Sequence, residues 1–362
     1  MKKIAVSILL IFAMGGIIGC QKEEPIEVAN EPAVKQEQQK VEKVEPKEEN
    51  PENQNLLTGI ADLNDEAIGK RPVAVMVNNV NAALPQYGIA KADIIYETVV
   101  EGDLTRLMAI YADYTQVPVV CAVRSCRYYY PAISEGFDTI YAHWGMDETK
   151  RDYVEEIDSD RFDAMKNPSG LFGRDQNRLN SGYALEHTAY FDGPQLPSVL
   201  SELGIRTDLL EDKKSTAFNF CGQNEVIAPE GNSCNHVLVN FGSATAEFTY
   251  DEKTNTYFKK INGNDQMDSR TGTQLSFTNV FILETNISVR TDSNSGHKQV
   301  DWMGGPEAVG YYISNGTVQK IHWSKENEKA YLKFYNENGE ELVVNRGKSY
   351  IAMNYPNQTT FE

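Results

Sequence analysis

The chain has 362 residues, enough for two domains once a leader and a linker are set aside, and its 41% hydrophobic and 10% aromatic content supplies a sizeable core. Its formal net charge is −18, and a fold that acidic is a poor partner for phosphate backbones, which require a surplus of Lys and Arg, so nucleic acid is not an expected ligand. Residues 21–55 hold ten Glu against five Lys, which leaves the larger share of the acidity in the remainder of the chain.

Lys2 and Lys3 precede an apolar run from Ile4 to Phe12, and Ile17-Ile18-Gly19-Cys20 closes the segment with small residues and a cysteine. This pattern predicts a secretory signal over 1–19, cleaved before Cys20, whose sulfur is then diacylated. The run is short for a membrane span and breaks at Gly15 and Gly16. An ordinary signal peptide or a short anchor would leave the cysteine after a small residue unexplained. The implied location is the extracytoplasmic face of a bacterial membrane, with the lipid bilayer as the first partner through Cys20. Residues 20–55 contain four prolines and no aromatic residue. They are expected to form a disordered acidic tether, since they cannot bury enough apolar surface to offset their ordering entropy. Such a tether spans at most roughly 120 Å when stretched and on the order of 35 Å as a coil.

A first domain is expected over 56–230. The apolar runs at 72–79, 94–100, 105–112, 117–123 and 139–143 read as five strands, the first of the kind buried on both faces. Helices fit 131–136, 197–203 and, with Tyr153, Val154, Ile157, Phe162 and Met165 on one face, 148–165. Residues 167–190 read as loop. From 231 to 362 the texture changes to short alternating strands at 236–241, 246–250, 256–259, 279–284, 310–314, 318–323, 331–335 and 341–344. Asn315-Gly316 and Asn338-Gly339 are strong hairpin signals. The fold class expected is therefore α+β, an N-terminal mixed α/β sheet domain followed by a mainly antiparallel β domain.

Charge gathers at the ends of the N-terminal strands: Asn78, Glu97, Glu101, Arg106, Arg124-Ser125-Cys126-Arg127 and His143 with Trp144. These groups either converge on an open cleft beyond the strand ends or close those ends as ion pairs. A metal set of His143, Asp147 and His187 lacks any recognised ligand spacing, and no Gly-rich phosphate loop is present, so neither metal nor cofactor is expected. Cys221 and Cys234 flank a Gly- and Asn-containing segment that could fold back, which makes them the disulfide candidate. Cys121 and Cys126 on one straight strand would lie roughly 16 Å apart, beyond disulfide reach.

Several of these segments resemble the YerB-type bacterial lipoproteins. The resemblance rests on Arg71-Pro-Val-Ala-Val-Met-Val-Asn-Asn79, Ala92-Asp-Ile-Ile-Tyr-Glu97, Glu101-Gly102, Thr105-Arg106, Val123-Arg-Ser125 with Arg127, and Arg174-Asp175. In the C-terminal part it continues through Gly310-Tyr-Tyr-Ile-Ser-Asn-Gly316, Ile321-His-Trp323, Gly339-Glu-Glu-Leu342 and Gly347-Lys-Ser-Tyr-Ile351. It covers about residues 56–355 and implies a signal-anchored envelope protein of two domains, with no established reaction. The chain departs from the family pattern at Cys121-Ala-Val-Arg-Ser-Cys-Arg127, where the family has Gly-Pro-Val-Arg-Ser-Ala-Arg. It departs again at His187-Thr-Ala-Tyr190, which lacks an Asn beside the histidine.

Three functions fit this reading. In the favoured one the cleft, lined by Asn78, Arg106, Arg124, Ser125, Arg127 and Arg174, binds an anionic cell-wall component or envelope protein, because guanidinium forks match carboxylates and phosphates. In the second, a wall-acting hydrolase uses Glu97 or Glu101 as acid or base, with His143 or His187 moving a proton. In the third the chain is an envelope scaffold without a small-ligand site. The lipobox yields the first test: Cys20→Ala should move the protein from the membrane to the soluble fraction and abolish incorporation of labelled palmitate, whereas retention of both would refute lipidation at Cys20.

Overall fold

The computed structural model describes residues 51–157, 160–166 and 170–362. The leader, Cys20 and tether residues 20–50 lie outside the described residues. The folded body begins earlier than expected. Gln54 pairs with Ala61, and the buried Asn55 side chain donates to Asp93 Oδ1 at 3.1 Å while its own Oδ1 accepts from Leu57 N. The last five residues assigned to the tether are therefore structured.

The N-terminal segment forms β1 (Val73–Asn78), β2 (Ile94–Val99), β3 (Thr105–Tyr111), β4 (Val119–Cys121), β5 (Ile140–His143), β6 (Phe162–Asp163), β7 (Phe172–Arg174) and β8 (Ala189–Asp192). Its helices are α1 (Tyr129–Ser134), α2 (Arg151–Ile157), α3 (Gln176–Asn180) and α4 (Leu196–Leu203). The C-terminal segment contributes β9 (His236–Asn240), β10 (Thr245–Asp251), β11 (Thr256–Ile261), β12 (Asn279–Glu284), β13 (Gly304–Ser314), β14 (Thr317–Ser324), β15 (Ser349–Asn354) and β16 (Thr359–Phe361), with further two- and three-residue strands. This is the α+β class expected. Two local expectations fail. The helix at 148–165 stops at Ile157, because Phe162 leaves it to pair beside β5 through Ala142. The expected loop at 167–190 contains β7, α3 and the start of β8.

One mixed sheet runs through both segments, in the order β14-β13-β12-β15-β2-β3-β1-β5-β6. Its centre is a parallel pairing of chain segments more than 250 residues apart, with Ile94 opposite Ser349 and Thr98 opposite Met353. β15 also pairs parallel with β12. A second, antiparallel sheet carries β11-β10-β9-β16, and a three-stranded sheet carries β4-β8-β7. Both faces of the mixed sheet are covered, which is why its strands read as unbroken apolar runs. Val73, Val75 and Val77 face a core shared with Phe191, Val237, Phe248 and Tyr350. Ala74 and Met76 face a second core with Tyr129, Tyr141, Phe281 and Trp323. The β13–β14 hairpin turns at Asn315-Gly316, both with positive φ (47° and 73°), as the sequence signal requires.

The disulfide expectation is overturned: all four cysteines after the leader are free and buried. The backbone N–H of Cys221 bonds Val344 O and that of Cys234 bonds Gly316 O, so the intervening segment does not fold back on itself to bring the two thiols together.

Glu97 on β2 faces the layer between the mixed and antiparallel sheets and is 1% exposed. Its partner is Lys259 of β11, fully buried, with Nζ 3.2 Å from Glu97 Oε2. Removing one member of such a pair strands the other charge in a dry interior. Lys259→Met should destabilise the protein by about 3–5 kcal/mol, read as a lower denaturant midpoint, and adding Glu97→Gln should restore most of that loss.

Candidate functional site

Glu97 is a structural group. Oε2 accepts from the Tyr350 hydroxyl at 2.9 Å and Oε1 from Asn79 Nδ2 at 2.8 Å. Lys259 Nζ donates to Gln266 Oε1 at 2.6 Å, and Gln266 and Gln86 both donate to Asn79 Oδ1 at 3.0 Å. Burial pushes the Lys259 pKa down, with Glu97 opposing. The network is closed on every side, which removes Glu97 as an acid or base acting on substrate. Lys259 was not foreseen, since a lysine on an alternating strand reads as solvent-facing.

Glu101 follows β2 in a turn whose Gly102 (φ 63°) and Asp103 (φ 55°) take left-handed backbone. Arg106 on β3 donates to its Oε1 at 2.8 Å, while Arg127 donates to Oε1 at 2.6 Å and to Oε2 at 3.0 Å. The arginines are completed by backbone: Arg106 Nη1 donates to Ser125 O and Arg127 Nη1 to Cys126 O. Burial acts to raise the Glu101 pKa, but Arg106 and Arg127 outweigh it and hold the carboxyl at about 2. Burial also lowers Arg106 to about 10. Two of the expected ligand-binding arginines are thus committed to one carboxylate, which stays ionised and cannot deliver a proton.

His143 ends β5 with no exposed surface and donates from Nδ1 to Gly145 O at 2.9 Å. Burial depresses it to about 4 against the pull of Asp163, so the ring is neutral at ordinary pH and cut off from solvent. Asp147 faces Arg290 and, at 2.9 Å, His297, which takes it out of a set with His143 and His187. Among the described residues no group of three or more His, Cys, Asp or Glu could hold a metal ion.

Of the remaining candidates, Arg124, Ser125 and Arg174 line an open pocket of about 400 Å³ with Trp144, Leu185 and Glu186, among others, whereas Asn78 and His187 are not part of its lining. Its floor is rigid. Arg124 N donates to Met76 O on β1, and Arg124 O accepts from Trp144 N just after β5, both at 3.0 Å. The Arg174 guanidinium lies 3.9 Å from the centre of the Trp144 ring and donates to Leu185 O at 2.6 Å; Phe172 holds that ring edge-on from β7. Burial and then Arg124 lower the Arg174 pKa, opposed by Glu186. Among the described residues neither Arg124 nor Arg174 has a carboxylate within ion-pair distance, and the Arg124 side chain makes no hydrogen bond. Asn78, at the end of β1, donates from Nδ2 to His187 Nδ1 at 3.1 Å while its Oδ1 accepts from Val80 N, which places the imidazole proton on Nε2. Burial lowers the His187 pKa, and Arg124 lowers it further against Glu186. The structure therefore separates the expected cleft into a sealed cluster (Glu101, Arg106, Arg127) and an open one (Arg124, Ser125, Arg174). Trp144 was legible as the end of a strand; Leu185 and Met146, which also line the pocket, carried no signal, and Met165, expected on the apolar face of a helix, is instead exposed at the pocket.

Fold and site together define an α+β protein whose two segments share one sheet and whose N-terminal segment carries an arginine-lined pocket. The chain belongs to the family described as protein of unknown function DUF3048, matching its N-terminal domain over residues 57–206 and its C-terminal domain over 237–351. It is 29% identical over 300 residues to the Bacillus subtilis (strain 168) protein named "Putative lipoprotein YerB", covering 82% of this chain and 84% of that protein. The crystal structure of YerB from Bacillus subtilis superimposes with a TM-score of 0.70 at 25% identity, over 84% of this chain and 98% of that one.

The Glu101 cluster has a pH signature. A carboxyl held near 2 against an ordinary value of 4.5 contributes stability that is complete above the ordinary value and is lost as pH falls toward 2. The contribution is about 3 kcal/mol at most. Glu101→Gln should flatten the decline of unfolding free energy between about pH 4.5 and 2, followed by denaturant titration; an unchanged slope would contradict the assignment.

Proposed function

We propose that this protein is a lipid-anchored extracytoplasmic binding module that captures an anionic group of a cell-envelope ligand between Arg124 and Arg174. The single observation behind this reading is that two neighbouring guanidinium groups share an open pocket with no carboxylate of the described residues within ion-pair distance of either. Burial and then the neighbouring Arg124 lower the Arg174 pKa, and an entering anion relieves the repulsion as it forms charge-assisted hydrogen bonds. Of the other buried arginines, Arg71 pairs with Asp138 and Arg106 and Arg127 with Glu101, while Arg178 is held by the backbone carbonyls of Ala83 and His187.

The location rests on the lipobox at Cys20 and on the relative's name as a lipoprotein. No helix among the described residues is long and apolar enough to cross a membrane. Binding is favoured over wall hydrolysis because Glu97 is enclosed with Lys259 and Glu101 is fixed as an anion by two arginines. That leaves neither of the expected acid–base carboxylates free to act.

The purified protein should be retained on isolated cell-wall and membrane material and should leave that material chemically unchanged. Arg124→Ala should weaken retention by about tenfold to a hundredfold, the range for one charge-assisted hydrogen-bonded contact. Release of soluble fragments by the wild type, lost in Glu101→Gln, would instead establish an enzyme.

A further inference from the structure

We infer that the ligand of the Arg124–Arg174 pocket is an amphiphile, a single phosphate head on an apolar arm, rather than a free ion or a polyanion; this rests on the anion-binding reading above and narrows it. The mouth of the pocket carries two large apolar side chains left in water, Met165 at 70% and Leu185 at 57% exposed. Most of the other Leu and Met side chains among the described residues are buried or half-buried, and an exposed apolar pair beside a polar cavity is the usual mark of a contact surface. Met146 and the half-buried Trp144 extend the apolar wall inward toward the arginines.

The head is assigned from the donors. All five N–H groups of Arg124 are unbonded among the described residues, Arg174 has one N–H committed to Leu185 O, and the Ser125 hydroxyl makes no hydrogen bond there. Three donor groups, two from adjacent residues after β4 and one from the end of β7, match the three free oxygens of a phosphate monoester, one more than a carboxylate offers.

A polyanion is disfavoured by what rims the site. Glu148 and Glu186, both exposed, stand at its edge, and the chain as a whole carries −18. A string of phosphates leaving the pocket would run into that field, whereas an uncharged apolar arm would not. The arm would instead cover Met165 and Leu185, gaining the transfer free energy of surface that is otherwise wet.

The test uses the purified protein and three probes in calorimetric titration: inorganic phosphate, dodecyl phosphate below its micellar concentration, and the neutral dodecyl maltoside. Dodecyl phosphate should bind at least about tenfold more tightly than inorganic phosphate, in keeping with the burial of two part-exposed apolar side chains. That ratio should fall toward one in the Met165→Ser/Leu185→Ser variant, with an unchanged melting temperature showing that the variant is folded. Arg124→Ala should weaken both phosphates together. Equal affinity for the two phosphates would overturn the amphiphile while leaving the anion site standing. Maltoside binding as tight as dodecyl phosphate would overturn it as mere apolar adhesion. Failure of both phosphates to bind would overturn the pocket as an anion site altogether.

Discussion

A buried charge pair at the seam of two sheets constrains most of this structure. Glu97 stands on β2 and Lys259 on β11, and the hydroxyl of Tyr350 on β15 completes the carboxylate's shell. Desolvating two ions is costly, and the cost is offset only if each remaining lone pair and proton finds a partner. Asn79, Gln86 and Gln266 provide those partners, and they come from both halves of the chain. The polar network thus fixes how the antiparallel sheet sits on the mixed one. It also fixes the register at which β15 enters between β2 and β12, since a slip of one residue would turn Tyr350 to the opposite face.

That insertion changes what the two sequence domains mean physically. Residues 57–206 and 237–351 match separate family domains, yet the central ladder of the mixed sheet pairs one with the other. Neither segment alone could satisfy the edge of β2, which would present a row of open backbone groups. The chain contacts that close the sheet are among the most distant in sequence, the kind that carry the largest loop-closure entropy.

The arginines illustrate how one residue type serves two purposes within a few ångströms of chain. Arg106 and Arg127 share Glu101 and end in backbone carbonyls, so their charge is neutralised and their geometry is fixed. The same interaction supplies the floor for the pocket, because the Arg106 contact to Ser125 O pins the loop that carries Arg124. Arg124 and Arg174 are then held beyond ion-pair distance of Glu148 and Glu186, which line the same pocket, and their positions are set by the segments that follow β4 and end β7.

Patterns decided locally were legible in the residues. Unbroken apolar runs marked β1, β2 and β3 because both their faces are buried, and Asn315-Gly316 marked its hairpin because the turn needs positive φ at both positions. Arg124 and Ser125 were legible as anion-binding candidates from residue type and position at a strand end, whereas Arg174, in a stretch that read as loop, entered only through the family resemblance. Pairing was not legible: nothing in the residues near 97, 101, 106 or 127 distinguishes a carboxylate that neutralises an arginine from one that leaves it free. The burial of Lys259, the parallel entry of Ser349–Asn354 and the free thiols of Cys221 and Cys234 were equally out of reach. A strand's periodicity is set by its own two faces, whereas its neighbours, and the partners of its charges, are set by complementarity between segments hundreds of residues apart, which only the folded chain brings into contact.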